Sequence, residues 1–169
     1  MSAPSGQGIF TKWQPHYAEK RIATFPVGTD KKPQIKRWNQ LGLSGSAKLA
    51  RRFKEANAFG FQPGPRSRVT VLDIDSQDEA ILADALVDYG DTPFIVRTGG
   101  GYHAYYRHGG ERRHIRPYAD QPIDILGGGF VVAPPSLSAK GRYEIIRGKL
   151  ADLESLPPLR GMLDELRVA

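Results

Sequence analysis

Cysteine is absent from this chain of 169 residues. Its absence excludes disulfide bonds, cysteine-ligated zinc and iron–sulfur clusters. It also fits a reducing compartment, and we expect a cytoplasmic protein.

Long apolar segments are also missing. No run approaches the roughly 20 residues that cross a bilayer, so no membrane contact is expected. The N-terminal stretch MSAPSGQG lacks the charged and apolar regions of a signal peptide, and residues 1–8 are expected to form a loose tail. Residues 9–169 are long enough for one domain with a real core, and we expect two lobes within it.

Acidic residues are the minority, since the net charge is +6 and the isoelectric point is about 9.6. The segment from Arg97 to Arg116 holds five Arg and three His against the single acid Glu111. A second cluster comprises Lys31, Lys32, Lys36 and Arg37. Such clusters favour a polyanionic partner, although a solvated basic face has the same composition.

Alternating apolar residues and turn signals predict most of the sheet. Strands are predicted at 21–27, 58–61, 68–75, 93–98, 102–108 and 141–148, and two more flank a glycine turn within 122–136. Helices are predicted at 46–57, capped by Ser46, and at 76–90, where Ser76 and Glu79 would form a capping box. Helical patterning also covers 150–168. Strands and helices do not alternate strictly along the chain, and this mixed order predicts an α+β protein with a largely antiparallel sheet.

Three short motifs carry residues suited to chemistry. The strand VLDID places Asp73 and Asp75 on one face, because residues two apart in a strand share a face. The motif TGGGYHAYYRH starts a strand at His103 just after three glycines. The motif PIDIL places Asp124 between two isoleucines, where a buried acid needs a partner.

Carboxylates from two strands suit Mg²⁺ or Mn²⁺, which bind oxygen ligands and leave positions for phosphates and water. Each motif also has a structural interpretation. Asp75 could cap the following helix, His103 could be a satisfied core or surface residue, and the glycines could form a simple turn. Asp124 could pair with one of the arginines instead of a metal. The combination, in this order, favours a common site.

Four motifs in order resemble the bifunctional DNA primase/polymerase (prim-pol) domain of the archaeo-eukaryotic primase superfamily, found in plasmid, phage and mobile-element replication proteins. They are FPVGTDKKPQIKRW, FGFQPGPRSRVTVLDID, VRTGGGYHAYYR and IDILGGGFVVAPPS. The resemblance covers about residues 20–148. It implies a catalytic lobe with an RNA-recognition-motif-like sheet, a smaller N-terminal α/β lobe, and an active site between them.

The resemblance also implies roles for individual residues. Asp73, Asp75 and Asp124 match metal ligands, and His103 matches the histidine that contacts the phosphates of the incoming nucleotide. Further expected nucleotide contacts are the backbone of Gly99, Gly100 and Gly101, the side chains of Lys32 and Arg97, and Ser136 nearby. Arg112, Arg113 and Arg116 are the expected DNA contacts, with a solvated loop as the alternative. Tyr102, Tyr105 and Tyr106 are candidates for a steric gate against ribonucleotides.

The implied activity is a two-metal nucleotidyltransferase that extends a strand on a single-stranded DNA template from NTPs or dNTPs. A replicative helicase or a C-terminal helical domain outside this chain is an implied partner. The family often has Ser shortly before the histidine, whereas this chain has glycines at 99–101. Two other hypotheses about the function remain open. The first is a replication-initiator or single-strand DNA-binding module without catalysis, and the second is a metal-dependent nuclease or phosphatase.

Overall fold

The computed structural model describes residues 7–161. Within this range, helices α1, α2 and α3 span Ile9–Glu19, Leu43–Arg52 and Glu79–Tyr89, and short 3-10 helices span Trp38–Gln40 and Leu150–Glu154. Strands β1 to β11 span Thr24–Pro26, Phe59–Phe61, Val69–Ile74, Ile95–Arg97, Tyr102–Arg107, Arg113–His114, Ile123–Leu126, Val131–Val132, Leu137–Ser138, Gly141–Arg142 and Glu144–Arg147. The expectation of a mixed α+β protein is confirmed.

The larger sheet has six strands in the order β11-β4-β5-β3-β7-β6, and every neighbouring pair is antiparallel. Strand β3 lies near the centre because five of its six residues are buried and four of them are apolar. Leu72 and Ile74 project from one face of β3 into a core cluster that also contains Ala85 and Tyr89 of α3. Val71, the residue before Leu72, projects from the opposite face into a second cluster.

The smaller sheet has three antiparallel strands in the order β1-β2-β8. Its core is aromatic: Phe25, Phe59 and Phe61 are at most 1% exposed. Phe10 and Tyr17 of α1 belong to the same cluster, as do Val71, Val96 and Tyr105 of the larger sheet. One continuous core therefore joins the smaller sheet and its helices to one face of the larger sheet.

Two predicted helices have different ends in the structure. Helix α3 begins at Glu79, and its cap is Asp78, whose carboxylate accepts a hydrogen bond from the Ala80 amide at 2.9 Å. Helix α2 begins at Leu43 instead of Ser46, and Ser46 is a buried residue inside it. The Ser46 hydroxyl donates to the Thr24 carbonyl at 2.7 Å, which ties α2 to β1 instead of capping the helix.

The ends of the chain also differ from expectation. Helix α1 was not predicted, and the Gly8 amide before it donates to the Lys54 carbonyl. Of the helical pattern over 150–168, only the 3-10 helix is present within the described residues, and positions 162–168 lie outside them. Within residues 7–161, none of the helices has the length and apolar character needed to cross a bilayer.

Candidate active site

Three neighbouring strands of the larger sheet carry a polar side chain at the same level. Asp73 on β3 pairs with His103 on β5 and with Asp124 on β7. Residues paired directly across strands project from one face, with Cβ atoms about 4.5–5.5 Å apart. We call His103, Asp73 and Asp124 the polar row. It lies on the face of the sheet that packs against the smaller sheet, because Val71 and Tyr105 of that face belong to the shared core.

A cation joins the carboxylates at one end of the polar row. The backbone amide of Arg116 donates to Asp124 Oδ1 at 2.8 Å. In the side chain of Arg116, Nη2 lies 3.0 Å from Asp75 Oδ2. Arg116 Nε lies 3.7 Å from Asp124 Oδ1. Like charges directly opposite each other in a sheet are destabilising, so a positive group is needed here. In this structure the guanidinium of Arg116 supplies it.

His103 occupies the other end of the polar row. It is 7% exposed, and its Nε2 lies 3.4 Å from Asp73 Oδ1. Its Nδ1 is buried and has no hydrogen-bond partner among residues 7–161. Burial raises the pKa of Asp73, but the hydrogen bond and charge of His103 and the charges of Arg116 and Lys31 outweigh it, so this pKa lies below its usual value. Asp73 is therefore ionised at neutral pH.

The glycine turn at 99–101 lies against the end of β3. The Thr98 amide donates to the Gly101 carbonyl at 2.8 Å, and the Gly101 amide donates to Thr98 Oγ1 at 3.0 Å. A Cβ on Gly101 would lie 2.0 Å from the carbonyl oxygen of Ile74, and one on Gly100 would lie 3.1 Å from Asp75 Oδ1. Gly101 is therefore required by the protein's own backbone. The turn also borders the carboxylates.

The sequence matches a family model described as bifunctional DNA primase/polymerase, N-terminal, over residues 14–159. The match covers most of the chain. The chain belongs to the bifunctional DNA primase/polymerase family. A search of curated proteins finds no match. The prim-pol match contains every residue of the polar row, together with Asp75, Arg116 and the glycine turn.

The carboxylates of this prim-pol chain have the donor chemistry of a hard-cation site, because all their ligand atoms are oxygens. Within residues 7–161, however, no group of three or more His, Asp or Glu side chains is close enough to hold a metal ion as the structure stands. The contact of Arg116 with Asp75 and Asp124 shows where positive charge is accepted. The carboxylate oxygens are of the type that Mg²⁺ and Mn²⁺ prefer, and in this structure Arg116 contacts two of the three carboxylates.

The 28–33 turn carries two lysines, and the one whose charge acts on the polar row is not the one expected from the sequence. Lys32 was the expected phosphate contact, and in the structure it is exposed, with its amide bonded to Asp30 Oδ1 at 3.0 Å. After the hydrogen bond and charge of His103 and the charge of Arg116, the charge of Lys31 makes the smallest contribution to lowering the pKa of Asp73. Lys31 is therefore a site residue that sequence reasoning missed.

The side chains of two other expected nucleotide contacts are not directed into the polar row. Arg97 pairs with Tyr102 on β5, one position beyond the Val96–His103 pair, so it projects from the opposite face of the sheet. Ser136 is fully buried, and its hydroxyl bonds both the amide and the carbonyl of Phe59, at 3.0 and 3.2 Å. The roles of both in nucleotide binding stay predictions.

The arginines expected to bind DNA belong to one segment beside the polar row. Arg112 and Arg113 are exposed, and Arg113 is the first residue of β6, the strand that pairs with β7. Glu111 anchors this segment: it is 4% exposed and accepts hydrogen bonds from the Thr70 hydroxyl at 2.8 Å and the Gly109 amide at 3.1 Å. No local pattern indicates this anchor, because its partner Thr70 lies 41 positions away along the chain.

None of the tyrosines considered as steric gates is freely exposed. Tyr102, Tyr105 and Tyr106 are at most 4% exposed. A different tyrosine, Tyr143, lies beside the polar row, with its ring centroid 6.0 Å from that of His103. Burial, followed by the charge of Asp73, raises the pKa of Tyr143. Tyr143 is the second site residue that sequence reasoning missed.

Proposed function

We propose that this domain is a DNA-templated nucleotidyltransferase, a primase or DNA polymerase that adds nucleotides to a growing strand. The observation that carries the proposal is the polar row, in which Asp73, His103 and Asp124 come from three adjacent strands, with Asp75 two residues beyond Asp73. The family match supports the same reaction.

In the proposed reaction a strand's 3′-hydroxyl attacks the α-phosphate of a nucleoside triphosphate. A new P–O bond forms, the bond to the β-phosphate breaks, and pyrophosphate leaves with the electron pair. Asp73, Asp75 and Asp124 would hold Mg²⁺ or Mn²⁺. A pair of such ions, when bound, would neutralise phosphate charge and activate the attacking hydroxyl.

His103 is the proposed contact to the triphosphate. A turn of the ring that exposes the buried Nδ1 would let it bond a phosphate oxygen and satisfy the one ring nitrogen that lacks a partner within the described residues. Asp73 Oδ1 lies 3.4 Å from the other ring nitrogen, Nε2. The backbone of Gly99, Gly100 and Gly101 and the side chains of Lys31 and Lys32 are proposed to complete the phosphate site.

The template is proposed to be single-stranded DNA held by Arg112 and Arg113, which are exposed beside the polar row. Arg116 would contact DNA only after it releases Asp75 and Asp124. Contacts from arginine to phosphates position a strand without reading its sequence.

The larger sheet is proposed to be of the RNA-recognition-motif type. Strands β3 and β4 run parallel, because each is antiparallel to β5 between them, and α3 connects them. This split β-α-β arrangement supports the comparison. We further propose a cytoplasmic role in the replication of a plasmid, phage or mobile element, with a helicase or helical priming domain as partner.

The alternative function is a non-catalytic replication-initiator or single-strand DNA-binding module. The exposed side chains of Arg112 and Arg113 would serve it equally well, but such a module has no need for three carboxylates on one face. A metal-dependent nuclease or phosphatase would use the same carboxylates to degrade a strand instead of extending it.

A strand-synthesis assay separates these functions. The protein is mixed with single-stranded DNA, with and without primer, labelled NTPs or dNTPs, and Mg²⁺ or Mn²⁺. We expect template-dependent products that disappear in the Asp73→Ala/Asp75→Ala variant. Shortened DNA would identify a nuclease. Intact DNA binding without products under any condition would favour the binding module.

A further inference from the structure

A cleft beside the smaller sheet has no carboxylate in its lining. It forms between the end of α1, the segment that enters α2, and the loop after β2, and its lining includes Arg21, Trp38, Leu43 and Arg66. Leu43 is 40% exposed, which is unusual for a large apolar side chain in this protein. The cleft thus combines two cations with apolar and aromatic surface. None of these residues has a part in the proposed chemistry.

The cations of this cleft are not used in ion pairs. Among the salt bridges of residues 7–161, neither Arg21 nor Arg66 has a carboxylate partner. Arg66 Nη1 donates to the Asn39 carbonyl at 3.2 Å, which holds the guanidinium beside the segment that carries Trp38. Two cations without acidic partners at one cleft favour an anionic ligand.

Arg21 occupies a backbone position that favours glycine. The Ile22 amide donates to the Tyr17 carbonyl and the Arg21 amide donates to the Ala18 carbonyl, which is the Schellman pattern that ends α1. Arg21 is its left-handed residue, with φ of 61°. A cation at this position costs backbone strain that glycine would avoid, so its charge is expected to serve a purpose.

Cations also occupy the other positions of positive φ. The non-glycine residues of positive φ in the described chain are Arg21, Lys31, Arg37, Arg68 and Arg116, and each of them is a cation. Lys31 and Arg116 act on the carboxylates, and Arg37 directly precedes Trp38. Strained residues of this kind cluster at functional sites.

Trp38 connects the cleft to the candidate active site. Its ring centroid lies 5.5 Å from that of Phe130, in an edge-on arrangement. Phe130 follows Gly129, where an added Cβ would lie 3.1 Å from Cδ of Arg113. Arg113 pairs with Leu126, two residues after Asp124 on β7. Trp38, Phe130 and Arg113 therefore lie between the cleft and β7, the strand that carries Asp124.

We propose that this cleft is a binding subsite for single-stranded DNA, in which a base packs on Trp38 and Leu43 while Arg21 and Arg66 contact the phosphates. The proposal rests on the proposed function, because the strand would be the template that reaches the polar row past Arg113. Aromatic stacking combined with a basic groove is the usual way to hold a single strand without sequence preference.

Tryptophan fluorescence tests the proposal directly, because the chain has only Trp13 and Trp38. The titrant is a 15-residue oligothymidylate in EDTA, without nucleotides, so that catalysis plays no part. We expect the oligonucleotide to quench the tryptophan fluorescence of the Trp13→Phe variant, which keeps Trp38. The Trp38→Phe variant, which keeps Trp13, is expected to show no quenching. Quenching of Trp13 with no response from Trp38 would overturn the proposal.

Affinity measurements on labelled oligonucleotide add variants that keep the fold intact. Trp38→Ala is expected to weaken binding about 5- to 150-fold, the range for loss of one stacked base. Because Trp38 also packs on Phe25 and Phe130, Arg66→Ala and Arg21→Gly provide tests that spare the core. Each should lower the slope of log affinity against log salt by about 0.7, the value for one phosphate contact to a single strand.

Lys12→Ala is the matched control for charge, since Lys12 is exposed on α1 about 13 Å along the helix from Arg21. It should leave both the affinity and the salt slope unchanged. Arg21→Gly should keep or raise the melting temperature while it weakens binding, because glycine relieves the left-handed strain. An equal loss of oligonucleotide affinity in Lys12→Ala and in the cleft variants would show that only the net charge matters, and it would overturn the proposal.

Deoxythymidine triphosphate and inorganic tripolyphosphate are titrated in parallel. Binding of the free triphosphate to the cleft at least as tightly as the oligonucleotide would overturn a strand site and indicate a nucleotide site. If strand synthesis is absent but Trp38 responds to the oligonucleotide, the subsite stands without the proposed function. If synthesis proceeds but the cleft variants bind normally, the proposed function stands without the subsite.

Discussion

Replacing Arg116 with alanine tests how the carboxylates of this site balance their charge. In the structure the guanidinium contacts Asp75 and Asp124, the same groups proposed to bind a divalent ion. Arg116 and the ion would therefore compete. The backbone amide of residue 116 still donates to Asp124 in the variant, so the position of that carboxylate should be preserved.

The size of the effect follows from the exposure of the partners. The side chains of Arg116 and Asp75 are 44% and 61% exposed, and that of Asp124 is 20% exposed. Exposed ion pairs contribute about 0.2–1 kcal/mol each, so two such contacts give about 0.4–2 kcal/mol. Removal of Arg116 should then tighten Mn²⁺ binding about two- to thirtyfold.

The assay is a titration with Mn²⁺ followed by electron paramagnetic resonance, which detects the free ion and needs no catalysis. Arg112→Ala removes the same charge nearby, but Arg112 makes no ion pair with these carboxylates among the described residues, so it measures the general electrostatic effect. Arg116→Lys should give an intermediate affinity. Mn²⁺ affinity that is unchanged or weaker in Arg116→Ala, relative to Arg112→Ala, would refute the competition.

Three further predictions concern stability. Ser136→Ala should lower the free energy of unfolding by about 1–3 kcal/mol in urea titrations, because it leaves the buried amide of Phe59 without its partner; no loss would contradict this role. Gly101→Ala should lower the melting temperature, because the new Cβ would lie 2.0 Å from the Ile74 carbonyl oxygen; a normal melting temperature would show that the turn can move. Burial raises the pKa of Tyr89 to about 12, so the unfolded chain ionises first and stability should fall as pH rises from about 10 to 12. Tyr89→Phe should flatten that fall, and an equally steep fall in the variant would contradict the assignment.

The central sheet could be predicted from the sequence because its signals are local. The alternation in 68–75 identifies β3, which the structure has at Val69–Ile74. The pairing of Asp73 with His103 and Asp124 is not local, since it depends on which strands become neighbours. The contact of Arg116 with Asp75 is harder still to predict, because it joins residues 41 positions apart.

The missed helix α1 and the shifted start of α2 have physical explanations. Gly8 offers no side-chain cap to α1, and Pro15 lies inside the helix, so the usual start signal is missing and a helix breaker is present. The buried residues Phe10, Gln14 and Tyr17 carry the helical spacing that remained. Ser46 has the right type for a cap, but its hydroxyl is used by Thr24 on β1, a tertiary contact that a local rule does not include.

Single-nucleotide incorporation on four templates is the most direct test of the central claim. The templates differ only in the first unpaired base, and the wild-type protein is compared with Asp124→Asn at matched DNA occupancy. We expect the incorporated nucleotide to follow the template base, and we expect incorporation to be lost in Asp124→Asn with DNA affinity retained. Incorporation that ignores the template base, or that persists at wild-type rate in Asp124→Asn, would contradict a templated reaction at the polar row.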